Sequence, residues 1–179
     1  MRKIFWGFFL ILLDFPLSFA NSTLQLLPDW LGYLLLLTGC AQLEVESDLF
    51  GKLRSFCIAL CIFSAILWLI DFSGLGGGTF GNIVQLVHLC LRLYVIQRII
   101  RAIAQTEMCR NCDLSSAHLR RVWLAVALCT AAAVALFWFP TMAVICAVAA
   151  DIAGIIFLFA FHSTRKAYEQ MLADYAQGF

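Results

Sequence analysis

Apolar residues are grouped along the chain in six stretches, each close to the length that crosses a membrane. The stretches occupy residues 4–20, 28–43, 53–72, 80–100, 122–139 and 141–162. A membrane-spanning helix needs about 20 mostly apolar residues, and these stretches lack the apolar–polar alternation of a membrane β-strand. The pattern predicts an all-α bundle of six transmembrane helices, arranged as three hairpins within residues 1–163.

The last part of the chain, residues 164–179, carries a shorter apolar pattern. Apolar side chains recur there at helical spacing, at Tyr168, Met171, Leu172, Tyr175 and Phe179. Such spacing produces one apolar face on a helix. We expect an amphipathic tail that either continues the sixth span or lies along the cytoplasmic surface.

The positions of Lys and Arg predict the orientation in the membrane. Eleven of the 12 lie in four groups, within residues 2–3, 52–54, 98–121 and 165–166. In a six-span chain these groups are the two termini and the 2–3 and 4–5 loops, which all lie on one side. Because Lys and Arg are concentrated in cytoplasmic loops, we expect a multi-pass protein of the cell membrane with both termini in the cytoplasm.

Composition excludes two other classes of protein. The chain is 63% hydrophobic and 13% charged, whereas soluble domains have about 45–50% apolar and about 25% charged residues. The same values exclude a disordered chain. A net charge of +1 gives no reason to expect a nucleic-acid partner. One alternative stays open at the N-terminus, where Ser18, Phe19 and Ala20 resemble the cleavage site of a signal peptide.

Polar residues inside the predicted spans are the candidates for a substrate or ion pathway, at Asp14, Gln85, His88, Arg92 and Asp151. At about 1.5 Å per residue, Asp14, His88 and Asp151 lie about 15–21 Å from the nearest basic anchor. That depth is near the middle of an apolar core about 30 Å thick. Gln85, His88 and Arg92 share one helical face, which must face other helices or a cavity.

We expect Arg92 to pair with Asp14 or Asp151, and His88 to lie beside the other carboxylate. Burying an ionisable group in a membrane costs several kcal/mol unless the group is paired or hydrated. Two interpretations stay open, namely a structural ion pair that fixes helix packing and a site that binds a solute, a proton or a cation.

Eight cysteines are present, and Cys109 and Cys112 have the spacing of redox and zinc motifs. The surrounding arginines place this pair in the cytoplasm, where disulfides are rare. His118 is a third candidate metal ligand, but no fourth ligand is evident, so we predict no metal site. Cys57 and Cys61 share a helical face and are expected to serve in packing.

No hydrolase constellation is found in the sequence, neither a Gly-x-Ser-x-Gly elbow nor a His-Glu-x-x-His helix, and the sequence does not identify a cofactor. The leading hypothesis is a protein that binds or transports a small solute between helices, with an ATPase or another membrane protein as partner. One alternative is a non-catalytic assembly subunit acting through its tail and the acidic 2–3 loop, which contains Glu44, Glu46 and Asp48. The other is a membrane thiol oxidoreductase that uses Cys109 and Cys112.

One segment of the chain has a recognisable pattern. It reads Leu-Pro-Asp-Trp-Leu-Gly-Tyr at residues 27–33 and continues to Gly39 and Leu43. It resembles a segment of small, uncharacterised membrane proteins of Gram-positive bacteria, in which Leu-Pro-Asp-x-x-Gly-Tyr precedes an apolar helix. The resemblance implies a bacterial inner-membrane origin and carries no activity. The span count and length are similar to those of the substrate-binding subunits of vitamin uptake transporters, an analogy of architecture alone.

Overall fold

The computed structural model of the protein describes residues 1–12, 16–19, 22–25, 29–44, 46–73, 79–136 and 138–177. Within these residues the elements are α1 (Arg2–Leu12), β1 (Pro16–Phe19), β2 (Ser22–Gln25), α2 (Asp29–Leu43), α3 (Asp48–Phe72), α4 (Thr79–Arg110), α5 (Ser116–Ala135) and α6 (Pro140–Gln177). The chain divides into a first unit, Arg2–Ile99, and a second unit, Ile100–Phe179.

Four helices are long and apolar enough to cross a membrane, over Asp48–Ile70, Ile83–Arg110, Ser116–Ala135 and Thr141–Tyr175. Their outer surfaces carry large apolar side chains, and Ile62, Leu128 and Phe159 are 57%, 69% and 73% exposed. Apolar surface of this extent is suited to lipid rather than to water. Helices also satisfy their own backbone groups, as a lipid environment requires. The structure therefore supports a helical membrane protein.

The first predicted span is wrong at residues 16–19. The helix expected over residues 4–20 ends at Leu12, and Pro16–Phe19 form β1 instead. This strand pairs antiparallel with β2, from Pro16 opposite Gln25 to Phe19 opposite Ser22. Proline has no amide hydrogen to donate and disfavours helical backbone in the residue before it, so Pro16 disfavours a continuous helix over the expected span.

In the first unit, α1 packs on α2 and α2 packs on α3. Glycines allow the close approach of α1 and α2. A Cβ atom at Gly7 would lie 2.9 Å from the carbonyl oxygen of Gly32, and one at Gly39 would lie 2.5 Å from Cγ1 of Ile4. Small residues at a helix contact let the two backbones approach closely, which is the usual basis of helix association in membranes.

In the second unit, α5 packs on α6. The rings of Trp123 and Phe157 meet between the two helices, with centroids 5.6 Å apart. Proline at the first position of α6 suits its helical start. The helix expected to reach residue 139 ends at Ala135, and α6 continues without a break from Pro140 to Gln177. The last predicted span therefore shares one helix with four apolar residues of the tail, Tyr168, Met171, Leu172 and Tyr175. Phe179 lies outside the described residues.

Candidate functional site

Two polar side chains of α4 meet the other helices of the first unit. His88 lies on the same face as Arg92, one helical turn away. Its Nε2 atom lies 3.3 Å from the hydroxyl oxygen of Tyr33 on α2, at hydrogen-bonding distance. The imidazole also meets the ring of Tyr33 edge to face and packs against Phe63 on α3. The three helices α2, α3 and α4 thus hold His88 between aromatic rings.

Arg92 contacts the end of α1. Its Nη1 atom donates a hydrogen bond to the carbonyl oxygen of Ile11, at 3.2 Å. The last carbonyls of a helix lack partners within the helix and carry its partial negative charge, so a guanidinium group is well placed there. The Nε–H group of Arg92 is shielded from solvent and has no hydrogen-bond partner among the described residues.

The glycine contacts between α1 and α2 bring these groups together. A Cβ atom at Gly32 would lie 2.5 Å from Cγ1 of Ile11. Gly32 is the residue before Tyr33, so the close packing sets both the carbonyl that Arg92 contacts and the phenol that His88 contacts. Closer or looser packing of α1 on α2 would shift both contacts at once.

Asp29 and Tyr33 occupy successive turns of α2, and both side chains are buried. Neither residue is among the site candidates that the sequence indicated. The missed signal is the four-residue spacing, which puts a carboxyl group and a phenol on one face of a helix. The start of α2 is also tied to α3, since the thiol of Cys61 donates to the carbonyl oxygen of Trp30 at 3.4 Å.

The structure brings two of the five candidate pathway residues together. His88 and Arg92 share the cluster just described, whereas Gln85 on the same helix has an exposed side chain. Asp151 lies on α6 in the second unit, and its side chain is also exposed. Asp14 is outside the described residues, so its expected pairing with Arg92 stays a prediction. We call the cluster of Tyr33, His88, Arg92 and the carbonyl group of Ile11 the Arg92 site.

The candidate redox pair, Cys109 and Cys112, lies where α4 ends. Asn111 adopts a left-handed φ of 49°, and the amide of Cys112 donates to the carbonyl oxygen of Glu107 at 3.2 Å. This is the six-to-one hydrogen bond that commonly terminates helices. Glu107 also accepts a hydrogen bond from the amide of Ser116 and so caps α5, at 3.1 Å.

The position of this pair disfavours thiolate chemistry. Burial raises the pKa of the Cys112 thiol, and the nearby carboxylate of Glu107 raises it further. The negative end of the α4 dipole acts in the same direction. Reactive Cys-x-x-Cys pairs instead depend on a lowered pKa at a helix N-terminus. Among the described residues, no three His, Cys, Asp or Glu side chains are grouped so as to hold a metal ion.

Comparisons with known proteins give no further assignment. No family model, no curated protein and no solved structure matches the chain. The resemblance of residues 27–33 to proteins of Gram-positive bacteria therefore stays a prediction, and the site has to be interpreted from its own chemistry.

Proposed function

We propose that the protein is an integral membrane protein that binds a small carboxylate-bearing solute at the Arg92 site and transports it between α1, α2 and α4. The main support for the proposal is that only part of the guanidinium group of Arg92 is hydrogen-bonded. Its Nη1 atom is bonded to Ile11, while its Nε–H is shielded from solvent without a partner among the described residues. A hydrogen-bond donor left unsatisfied in a membrane helix favours an acceptor that arrives as a ligand.

The shape of the guanidinium group favours a carboxylate as that acceptor. Nε and the adjacent Nη atom carry parallel N–H groups, which match the two oxygens of a carboxylate. Such charge-assisted pairs are roughly twice as strong as neutral hydrogen bonds. The pairing also neutralises a cation that is costly to keep in an apolar region. The site is therefore suited to an anion and not to a cation.

His88 and Tyr33 supply adjustable hydrogen-bond partners beside the guanidinium group. Their side chains lie 3.3 Å apart, and either group can donate or accept. Each can therefore turn from its neighbour towards a polar group of the solute. Together with Phe63, they form one aromatic wall, which suits a solute with an apolar portion.

The proposed setting is the bacterial inner membrane, with four helices that cross it and both termini in the cytoplasm. The described helices support four spans, and the distribution of Lys and Arg supports the orientation. α1 and α2 have 11 and 15 residues, fewer than a full crossing requires. They are proposed to bring their carbonyl and phenol groups to the Arg92 site from a shallower position.

Ligand-dependent thermal stability tests the proposal. The full chain in mild detergent is heated with the sodium salts of acetate, lactate, succinate and benzoate, with sodium chloride as the reference. At about 100 times its dissociation constant, a ligand stabilises a protein by about 2.7 kcal/mol. We expect at least one of the four carboxylates to raise the midpoint by several degrees in the wild type.

Three variants identify the site of binding. Arg92→Gln removes the charge and the pair of parallel N–H groups, and we expect it to abolish the stabilisation by the carboxylate. Arg92→Lys keeps the charge without the parallel N–H groups and should retain only a small part of that stabilisation. Arg98→Gln is the matched control on the same helix, since Arg98 bonds and stacks on Tyr94 instead. The proposal is overturned if no carboxylate stabilises the wild type, or if Arg92→Gln responds as Arg98→Gln does.

A second candidate function, an assembly subunit, is favoured by one observation. Asp151 is exposed on α6 between apolar side chains that are also exposed, such as Val148 and Ile155. An ionised carboxylate in that position favours contact with another membrane protein over contact with lipid. In a gentle purification, Asp151→Leu should then lose a co-purifying membrane protein or ATPase that the wild type retains. The same companions in both samples would contradict this function.

A further inference from the structure

Two aromatic side chains meet on the outer surface between α3 and α4. The ring centroids of Phe56 and Tyr94 lie 5.8 Å apart, and the two side chains are 46% and 37% exposed. A second ring contact, between Phe63 and His88, lies further along the same two helices. In that contact a later residue of α3 meets an earlier residue of α4, so the two helices run antiparallel.

This arrangement places two basic residues side by side. Lys52 lies one turn before Phe56 on α3, and Arg98 lies one turn after Tyr94 on α4. In an antiparallel pair of helices both turns lead in the same direction, and residues four apart share a face. Lys52 and Arg98 therefore lie at one level beside the two rings. We call Lys52, Phe56, Tyr94 and Arg98 the α3–α4 basic cluster.

Tyr94 fixes the guanidinium group of Arg98. The Nε–H group donates to the hydroxyl oxygen of Tyr94 at 2.8 Å, and Cζ lies 5.2 Å from the ring centroid. Among the described residues, neither Arg98 nor Lys52 forms an ion pair with a carboxylate, although Asp48 lies one turn before Lys52. Two neighbouring cations repel each other, and an anion between them would relieve that repulsion. The Nη groups of Arg98 are placed to bind it.

The depth of the cluster indicates which anion it meets. Ten residues separate His88 from Arg98, which corresponds to about 15 Å along α4. The sequence predicts that His88 lies near the middle of an apolar core about 30 Å thick, so Arg98 and Lys52 lie at the edge of that core. The phosphate groups of phospholipids begin at this edge. The exposed rings of Phe56 and Tyr94 lie on the inner side of the two cations, where acyl chains pack.

We propose that the α3–α4 basic cluster binds an anionic phospholipid of the cytoplasmic leaflet. Lys52 and the Nη groups of Arg98 contact its phosphate, and the two rings contact the first part of an acyl chain. A zwitterionic phospholipid fits less well, because its own cation would lie near the two basic side chains. Each Lys or Arg near the surface of an anionic membrane increases the affinity about fivefold. This lipid site is separate from the Arg92 site.

Native mass spectrometry tests the lipid preference. The full chain in mild detergent is titrated with phosphatidylglycerol and, separately, with phosphatidylcholine that has the same acyl chains. The wild type should bind its first phosphatidylglycerol more tightly than its first phosphatidylcholine. Lys52→Gln and Arg98→Gln should each weaken phosphatidylglycerol binding about fivefold and leave phosphatidylcholine binding unchanged. Arg110→Gln is the matched control, since Arg110 also stacks on a tyrosine, Tyr175, but lies about 18 Å further along α4.

Photolabelling of the wild type alone removes any dependence on the folding of the variants. A phosphatidylglycerol with a diazirine beside its glycerol group should label residues 52–56 and 94–98, as located by mass spectrometry of the peptides. Excess inorganic phosphate should leave this labelling unchanged, because the ring contacts require an acyl chain. Labelling confined to other residues, or its loss in inorganic phosphate, overturns the proposal. So do equal affinities of the wild type for the two lipids, or equal weakening by Arg98→Gln and Arg110→Gln.

Discussion

Replacing Gly7 with alanine tests how closely α1 and α2 pack, and with it the frame of the Arg92 site. The new Cβ would lie 2.9 Å from the backbone oxygen of Gly32 and 2.8 Å from Cγ of Leu36. The first of these atoms belongs to the backbone, so a side-chain rotation cannot relieve that contact. The two helices would have to separate by some tenths of an ångström.

The magnitude follows from two opposing effects. Alanine is favoured over glycine inside a helix by about 0.5–1 kcal/mol. Overpacking a well-filled contact costs typically about 1–3 kcal/mol. Gly154 on α6 provides the matched control, since a Cβ there would meet nothing within 4 Å. Gly154→Ala therefore shows only the preference of a helix for alanine over glycine. The free energies of unfolding of the two variants should differ by the overpacking cost of about 1–3 kcal/mol.

Thermal unfolding in detergent, followed by circular dichroism, measures this difference. For a chain of this size, each kcal/mol corresponds to about 2–4 °C in the midpoint. We expect Gly154→Ala to unfold slightly above the wild type and Gly7→Ala to unfold at a clearly lower temperature than Gly154→Ala. Equal midpoints for the two variants would refute the close packing of α1 on α2. Gly7→Ala should also weaken solute binding, because a displaced α1 changes the position of the Ile11 carbonyl that Arg92 contacts.

Two further predictions concern the second unit. The hydroxyl of buried Thr164 is shared between the carbonyl oxygens of Leu114, at 3.0 Å, and Ala160 of its own helix, at 3.2 Å. Thr164→Val should cost about 1–3 kcal/mol by leaving the Leu114 oxygen unsatisfied. Thr130→Val is the control, since among the described residues Thr130 donates to Val126 of its own helix alone, and equal losses of unfolding free energy would contradict the reasoning. Because burial raises the pKa of Cys112, maleimide at pH 8 should modify this thiol more slowly than exposed Cys109. Mass spectrometry of the labelled peptides measures both rates, and faster labelling of Cys112 would contradict the prediction.

The sequence predicted the helices better than it predicted their ends. The start of α2 agrees within one residue with the expected stretch at residues 28–43, because a proline and an acidic residue mark a helix start. α4 continues ten residues beyond the apolar stretch, to Arg110. Hydropathy indicates which residues of a helix lie within the lipid. The helix itself ends where a residue such as Asn111 adopts a left-handed conformation.

The site was predictable only in part. Helical spacing identified His88 and Arg92, since both are polar residues in an apolar helix. The partners expected from the sequence were Asp14 and Asp151. The contacts with Tyr33 and the Ile11 carbonyl were not expected, because they depend on how three helices pack. Gln85 shows the same limit, since it has the right spacing but an exposed side chain. Backbone carbonyl groups leave no signal in a sequence at all.

Native mass spectrometry of the full chain, released from mild detergent, tests the central claim most directly. We predict that the wild type carries a bound small carboxylic acid and that Arg98→Gln carries the same one. Arg92→Gln should appear at the mass of the empty chain. A wild-type protein without any bound acid, or an acid that stays bound to Arg92→Gln, would contradict the account of the Arg92 site.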